Sequence, residues 1–193
     1  MKLVFATNNH HKLQEIQSLL SDSIELLSLK DINCEDEIPE DQDTLEGNAS
    51  QKAFYIYNNY GVNCFADDTG LEVEALNGAP GVYSARYAGE NATYQDNVVK
   101  LLREMQDKTI RTARFRTVVA LIIDGEEFLF SGEVEGAISS ACVGDGGFGY
   151  DPVFIPLGET LSFAQMSPEA KNSISHRGRA FQKLFAYLNN RYS

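Results

Sequence analysis

Apolar positions in the first part of the chain recur in two patterns, which predict a strand followed by helices. The apolar run of residues 2–6 predicts a short buried strand, and apolar residues at spacings of three and four predict a helix over residues 12–20. The same spacing recurs after Thr44, a residue type that often caps helix N-termini, and over residues 93–105. We expect the apolar face of each helix to point into a core.

The remainder of the chain adds a strand pattern. Two β-rich runs flank Asp124-Gly125, and this arrangement predicts a hairpin. The apolar runs at residues 62–66 and 71–76 predict strands on either side of a turn at residues 67–70. Ser167-Pro168 is typical of a helix start and predicts a C-terminal helical region. This mixed order of elements predicts an α/β fold with a mixed central β-sheet flanked by helices.

Three segments are expected to be loops. The acidic segment EDEIPEDQDT covers residues 35–44. Residues 76–91 are rich in Gly and Pro, which predicts either a long ordered loop or a mobile flap. Residues 144–154 begin with a glycine-dense loop and run into an apolar strand.

Composition limits the class of protein. The 193 residues suit one domain, or one domain with two lobes. A net charge of −12 disfavours an RNA-binding protein, because a broad nucleic-acid surface needs clustered Lys and Arg. The three cysteines form no C-x-x-C, which indicates reduced thiols in a cytoplasmic protein rather than a disulfide or zinc site. The first apolar run is too short for a signal peptide, and no stretch approaches transmembrane length.

The polar segment TNNHHK, residues 7–12, lies between the first predicted strand and helix. Such a junction is a ready anion site, because free backbone N–H groups converge at a helix start. The segment matches neither G-x-x-x-x-G-K-[ST] nor G-x-G-x-x-G, so it is not one of the common phosphate loops.

Asp67 and Asp68 follow an apolar strand. Consecutive strand residues point to opposite faces, so one carboxylate would face a cleft while the other fixes the turn. A carboxylate in such a place suits Mg²⁺, although an Asx turn that only caps the strand is the alternative. Glu40 joins this site only if the fold brings it near Asp68; otherwise it belongs to a solvated face. Lys52, at the edge of a buried helix face, either snorkels or meets phosphate as a point charge.

The segment GGFGYD, residues 146–151, has the residue types that recognise a flat ligand. Its glycines allow close approach of the backbone, Phe148 and Tyr150 offer aromatic faces, and Asp151 offers an acceptor for a ring N–H. The alternative is a tight turn with two packed aromatic rings.

A second polar segment, KNSISHRG, covers residues 171–178 at a helix start or in a broken helix. Its Lys171, His176 and Arg177 are donors that could read a base edge or bind phosphate. The alternative is a polar helix face.

Six motifs in one order carry a resemblance that none of them carries alone. They are TNNHHK, IPE, ADDTG, GAPGVYSARY, GGFGYDP and ISHRG. Together they resemble the inosine triphosphate pyrophosphatase family, also called the dITP/XTP pyrophosphatases, from Leu3 to about Leu188. The resemblance implies a single domain over residues 1–193, with two lobes and a cleft between them, in a cytoplasmic homodimer.

The resemblance also implies roles for individual residues. Asp68 is the expected catalytic base, and Glu40 and Asp68 are the expected ligands of Mg²⁺. The resemblance implies that Thr7, Asn9, Lys12 and Thr69 bind substrate on the phosphate side. We expect the same of Lys52 and of Asn8, His10 and His11, which stand at the variable places of the first loop. The residues implied for the base pocket are Phe148, Gly149, Tyr150, Asp151, Lys171, His176 and Arg177. Thr69 stands where the family more often has Ser, and its hydroxyl can serve the same contact.

The implied reaction converts a non-standard purine nucleoside triphosphate, such as ITP, dITP or XTP, and water into a monophosphate and diphosphate. Two other readings stay open at this point. One is a diphosphatase for damaged or modified pyrimidine nucleotides on a similar scaffold. The other is a nucleotide-sensing module that binds without turnover.

Overall fold

A computed structural model describes residues 1–17 and 24–192 of the chain. The strands are β1 Lys2–Phe5, β2 Glu25–Leu27, β3 Cys64–Val73, β4 Pro80–Gly81, β5 Thr112–Ile123, β6 Glu126–Ile138 and β7 Phe154–Pro156. The α-helices are α1 His10–Gln17, α2 Leu45–Tyr60, α3 Tyr94–Glu104, α4 Pro168–Ile174 and α5 His176–Tyr192. Within these described ranges, no helix is long and apolar enough to cross a membrane.

The strands form one mixed sheet, as the sequence predicts. Its order is β2-β1-β3-β5-β6-β7, and β4 pairs with β3. Strand β1 pairs in parallel with β2 and with β3, whereas β3 with β4 and β6 with β7 are antiparallel. Strands β5 and β6 meet at Asp124 and Gly125, whose φ angles of 53° and 85° are those of the tight turn that the D-G pair favours. The predicted α/β fold with a mixed sheet is therefore confirmed.

The chain forms two compact units, each made of segments that are separate in sequence. Unit 1 comprises Met1–Asp68, Thr117–Gly132 and Arg177–Ser193, and unit 2 comprises Thr69–Arg116 and Glu133–His176. In unit 1 the rings of Phe5 and Phe65 stack with centroids 4.6 Å apart. In unit 2 the rings of Phe115 and Phe154 meet edge to face at 4.7 Å. The prediction of a single domain over residues 1–193 stays a prediction.

The predicted helix starts occur where the sequence places them. Thr44 caps α2 by accepting the N–H of Gly47, and Ser167 caps α4 by accepting that of Ala170. Thr93 caps α3 within a reciprocal capping box with Asp96. The predicted first helix is found as α1; Leu20, which we expected at its end, lies outside the described residues.

Two loop predictions need revision in detail. The turn predicted at residues 67–70 is wrong, because β3 runs without interruption from Cys64 to Val73. The reason is that β3 has a partner along both parts: β1 pairs with Cys64 and Phe65, and β4 pairs with Leu71 and Glu72. The segment at residues 76–91 contains β4 and a 3₁₀-helix at Ser84–Arg86, so it is partly regular.

Candidate functional site

The segment at residues 7–12 connects β1 to α1 and is organised by Asn9. The Asn9 side-chain oxygen accepts the N–H groups of His11 and Lys12 at 3.0 and 3.3 Å, which caps the helix. The Thr7 hydroxyl accepts the Asn9 N–H at 3.1 Å. Asn8, His10 and His11 are exposed. The first predicted motif therefore builds an ordered helix start.

Lys12 and Arg177 meet at a buried carboxylate in unit 1. The Lys12 ammonium donates to Asp67 Oδ1 at 2.9 Å, and Arg177 Nε lies 3.6 Å from Asp67 Oδ2. Arg177 also donates through a terminal nitrogen to Glu15 Oε2 at 2.6 Å. The Arg177 side chain is only 4% exposed, and that of Asp67 is 1% exposed. These side chains form a buried group that joins the first loop, β3 and the start of α5.

Lys52 links the other two acidic candidates. It projects from α2, donates to Glu40, donates to the Asp67 backbone oxygen at 2.8 Å and lies 3.9 Å from Asp68 Oδ1. Asn48, one turn earlier on α2, donates to Asp68 Oδ2 at 3.0 Å. The Lys52 side chain is 10% exposed, so it does not extend into solvent. The fold thus brings Glu40 and Asp68 to one shared cation, which the sequence could not show.

Burial and charge act differently on the two aspartates of β3. Burial alone would raise the pKa of the Asp67 carboxyl, but Lys12, Arg177 and Lys52 outweigh it and lower the pKa to about 2. For Asp68, burial and the negative charge of Glu40 prevail over the attraction of Lys52, so its pKa is raised. Asp67 is therefore a fixed anion, and Asp68 is the carboxylate that more readily takes up a proton.

The pKa values of Lys12 and Lys52 are also shifted, in opposite directions. Burial lowers the pKa of Lys12, and the attraction of Asp67 only partly offsets this effect. Burial would also lower the pKa of Lys52, but Asp68, Glu40 and Asp67 reverse the effect and raise it. Lys52 is therefore the more firmly charged of the two lysines.

Unit 1 contains a nearly balanced set of charges at these positions. The cations are Lys12, Lys52 and Arg177, and the carboxylates are those of Glu15, Glu40, Asp67 and Asp68. In residues 1–17 and 24–192, no group of three or more His, Cys, Asp or Glu side chains is arranged to hold a metal. Magnesium is often bound by one or two carboxylates together with substrate phosphates. Glu40 and Asp68, which already share the Lys52 cation, fit that type of site.

In unit 2, Asp151 organises the GGFGYD segment. Its buried Oδ2 accepts the Phe148 N–H at 2.8 Å and the Lys171 ammonium at 2.7 Å. A Cβ at Gly147 would overlap this oxygen, and Gly147 has a φ of +70°, so the position suits glycine alone. The Lys171 ammonium also lies 5.0 Å from the centre of the Phe148 ring. Phe148, half-buried, is the accessible aromatic ring of this segment.

The other predicted base-pocket residues of unit 2 have different surroundings. Tyr150 is buried, and its hydroxyl donates to the Ser84 carbonyl at 2.8 Å. His176 is buried and stacks on Phe115 with ring centres 4.5 Å apart. Gly149 has a φ of +60°, and Thr69 is half-buried on β3. Arg177 belongs to unit 1 and His176 to unit 2, although they are adjacent in sequence.

In unit 1, the candidates Asp68 and Arg177 contact Asn48 and Glu15, two residues that the sequence did not single out. Asn48 has a detectable signal, because it lies one helical turn before Lys52 and both therefore share a face of α2. Glu15 has no such signal in the sequence, because 162 residues separate it from its partner Arg177. Long-range pairings of this kind become visible only in the folded chain.

Comparison with known proteins identifies the family of this chain. The family model described as the Ham1 family matches residues 3–187. The solved Ham1 protein of Staphylococcus aureus superposes with a TM-score of 0.90 and 36% identity, over 99% of this chain and 100% of that one. The Ham1 protein of Coxiella burnetii superposes with a TM-score of 0.91 and 37% identity, over 98% and 99% of the two chains.

Curated relatives agree with the structural neighbours. A dITP/XTP pyrophosphatase of Flavobacterium johnsoniae is 53% identical over 97% of this chain and 98% of its own length. A dITP/XTP pyrophosphatase of Porphyromonas gingivalis is 56% identical over 97% of each chain. The resemblance found in the six motifs is thereby confirmed. The chain belongs to the Ham1 family.

Proposed function

We propose that the protein hydrolyses ITP, dITP and XTP to their monophosphates and diphosphate, and so removes non-standard purine nucleotides from the nucleotide pool. The observation that carries the proposal is the Lys52 ammonium shared by Glu40 and Asp68, in a chain 53–56% identical to proteins named dITP/XTP pyrophosphatase. Water adds to the α-phosphorus, the bond from that phosphorus to the bridging oxygen breaks, and diphosphate leaves. The attacking water loses a proton, which Asp68 accepts.

The phosphate chain is assigned to unit 1. A nucleoside triphosphate brings about four negative charges, and charge develops further on the leaving diphosphate. Lys12, Lys52 and Arg177 supply positive charge, and the N-terminus of α1 adds the positive end of its helix dipole. Because carboxylates already neutralise these cations, binding requires the phosphates to compete with Asp67 and Glu40 for them.

We assign magnesium binding to Glu40 and Asp68. Two carboxylates suffice for Mg²⁺ when substrate phosphates complete its oxygen ligands. When bound, the ion would offset phosphate charge and polarise a phosphoryl oxygen. Since the local protein charges are nearly balanced, we expect Mg²⁺ to bind much more tightly with nucleotide than alone.

The purine is assigned to the Phe148–Asp151 segment and Lys171 of unit 2. Hypoxanthine and xanthine carry a 6-oxo group and an N1–H, whereas adenine has an amino group at C6 and no N1–H. The Lys171 ammonium donates to Asp151, and an ammonium carries donors only. Such a group can donate to O6 but cannot accept from the adenine amino group. An adenine would leave buried polar groups unpaired, which disfavours ATP.

We also propose that the protein is a cytoplasmic homodimer, on the basis of the family resemblance. Sedimentation equilibrium should give about twice the 21.4 kDa chain mass. A mass equal to that of one chain would contradict the dimer and would leave the proposed reaction unaffected.

The proposed reaction is tested by measuring diphosphate release from ITP, dITP, XTP, ATP and GTP, with and without Mg²⁺. Metal-dependent release from the first three, with little from ATP and GTP, is the expected result. Release of single phosphate would contradict attack at the α-phosphorus. Inertness towards all five would favour the pyrimidine diphosphatase, which a panel of modified pyrimidine triphosphates would detect, or the binding module, which calorimetry would detect.

A further inference from the structure

In unit 2, Phe148 is contacted both at its backbone and at its ring. Asp151 holds its backbone N–H at 2.8 Å. The Lys171 ammonium lies 5.0 Å from the centre of its ring. The ring of Tyr94 lies against it with centroids 5.8 Å apart and planes tilted by 46°. Tyr94 thus contacts the Phe148 ring, and it belongs to none of the six family motifs quoted above.

Tyr94 is itself held on a well-anchored helix start. It is the first residue of α3, directly after the Thr93 cap and its capping box. The buried Asn97 accepts the Ala88 N–H at 2.7 Å and donates to the Ala85 carbonyl at 3.0 Å. These bonds fix the first turn of α3 against the neighbouring loop, so Tyr94 approaches Phe148 from a rigid support.

Tyr94 does not belong to the buried face of α3. The residues that α3 buries are Asn97, Val98 and Leu101, whereas Tyr94 is 42% exposed. An exposed tyrosine at a helix N-terminus adds little to the core. Its contact with the accessible ring of Phe148 is therefore the feature that needs an explanation.

We propose that Tyr94 is a positioning residue for purine recognition, which holds the Phe148 ring in the orientation on which the purine stacks. A base inserted between two parallel rings would need them about 7 Å apart, twice the usual carbon–carbon contact distance. The two rings here are closer and are tilted, so Tyr94 supports Phe148 from the side. The inference rests on the proposed function, because it assigns the purine to Phe148.

The test compares Tyr94→Ala with Tyr94→Phe, which keeps the ring contact and removes only the hydroxyl. Aromatic pairs contribute an amount that corresponds to about a 2- to 10-fold change in an equilibrium constant. We expect Tyr94→Ala to raise KM for ITP by about that factor with kcat changed less than about twofold, and Tyr94→Phe to restore wild-type KM. Val99→Ala, at an exposed position on α3, is the matched control and should leave KM unchanged.

Two further measurements separate positioning from general damage to the fold. Tyr94→Ala should weaken IMP binding in calorimetry by the same factor as KM, but should leave inhibition by diphosphate unchanged. In the Phe148→Ala background, Tyr94→Ala should add almost nothing to KM, since the ring that it positions is gone.

Four outcomes would overturn the inference. An active enzyme whose KM is unchanged by Tyr94→Ala, or whose KM rises by the same factor with and without Phe148, would show that Tyr94 does not act through that ring. Equal weakening of IMP and diphosphate would indicate general damage instead. A wild-type protein inert to ITP would remove the proposed function and this inference together.

Discussion

Asp67 and Asp68 are consecutive residues of one strand, and the fold shifts the pKa values of their carboxyl groups in opposite directions. The cause is the alternation of strand side chains. Asp67 reaches Lys12 of α1 and Arg177 of α5, whereas Asp68 reaches Asn48 of α2. One carboxylate therefore holds cations together, while the other is destabilised as an anion.

We predict that Asp68→Asn lowers kcat for ITP by about 10²- to 10⁴-fold, the usual contribution of a general base. The amide has nearly the same shape and can still accept from Asn48. Because burial disfavours the Asp68 anion, removing its charge should not lower the melting temperature. Diphosphate release and thermal denaturation measure the two effects. Near-normal turnover would remove Asp68 from its assigned role, and Asp43→Asn in the exposed acidic loop is the control.

We predict that Asp67→Asn, unlike Asp68→Asn, destabilises the folded protein. Removing this buried anion leaves Lys12 and Arg177 without their shared partner, which should cost about 3–5 kcal/mol of unfolding free energy. Urea denaturation at pH 7 measures the loss. A variant as stable as the wild type would show that Asp67 is not what holds these cations together.

The pH dependence of stability should also report on Asp67. Its folded pKa of about 2 is below its ordinary value of 3.8, so its contribution is fully present above about pH 4 and is lost as pH falls from 4 towards 2. Over that interval the wild type should lose about 2 kcal/mol more unfolding free energy than Asp67→Asn. Parallel curves for the two proteins would contradict the assignment.

Phe148→Ala should raise KM for ITP through lost stacking, by an amount equivalent to about 1–3 kcal/mol. The residue is half-buried and not part of either aromatic core, so the melting temperature should change little. Phe148→Tyr, which keeps a ring, is the control. An unchanged KM would place Phe148 outside the purine site.

The three cysteines should differ sharply in reactivity. Cys34 and Cys64 are buried and Cys142 is exposed. Burial raises the pKa of the Cys64 thiol to about 12, so almost no reactive thiolate forms at pH 8. An aromatic disulfide reagent should therefore label one thiol quickly in the native protein and three in denaturant. Cys142→Ser should abolish the fast phase, and a persisting fast phase would contradict the assignment.

Local patterns predicted most of the fold. Thr44 and Ser167 cap helices as their sequence contexts indicate, the helix predicted over residues 93–105 is found as α3, and Asp124-Gly125 turns the predicted hairpin. The turn predicted at residues 67–70 was wrong. Asp, Thr and Gly favour turns locally, but β3 pairs with β1 before this segment and with β4 after it, and the segment stays extended. Pairing with other strands therefore determines the conformation of residues 67–70, and a short stretch of sequence does not reveal that pairing.

The candidate site was predictable as a set of residues but not as a set of contacts. Family motifs named Lys12, Glu40 and Asp68 in advance, and the apolar pattern of the helix after Thr44 drew attention to Lys52. The sequence did not reveal that Lys52 joins Glu40 to Asp68, or that Asp151 is engaged by Phe148 and Lys171. Such contacts depend on how distant segments pack, and the pKa shifts follow from that packing.

The segments of the two units alternate along the chain, and this order has a consequence for synthesis on the ribosome. All segments of unit 2 lie before Arg177, whereas unit 1 needs both the first segment and the last. During translation Lys12 and Asp67 emerge early, but Arg177 reaches them only after unit 2 has been made. This group of charged side chains is therefore completed only after Arg177 has been synthesised, and a shorter nascent chain cannot assemble it.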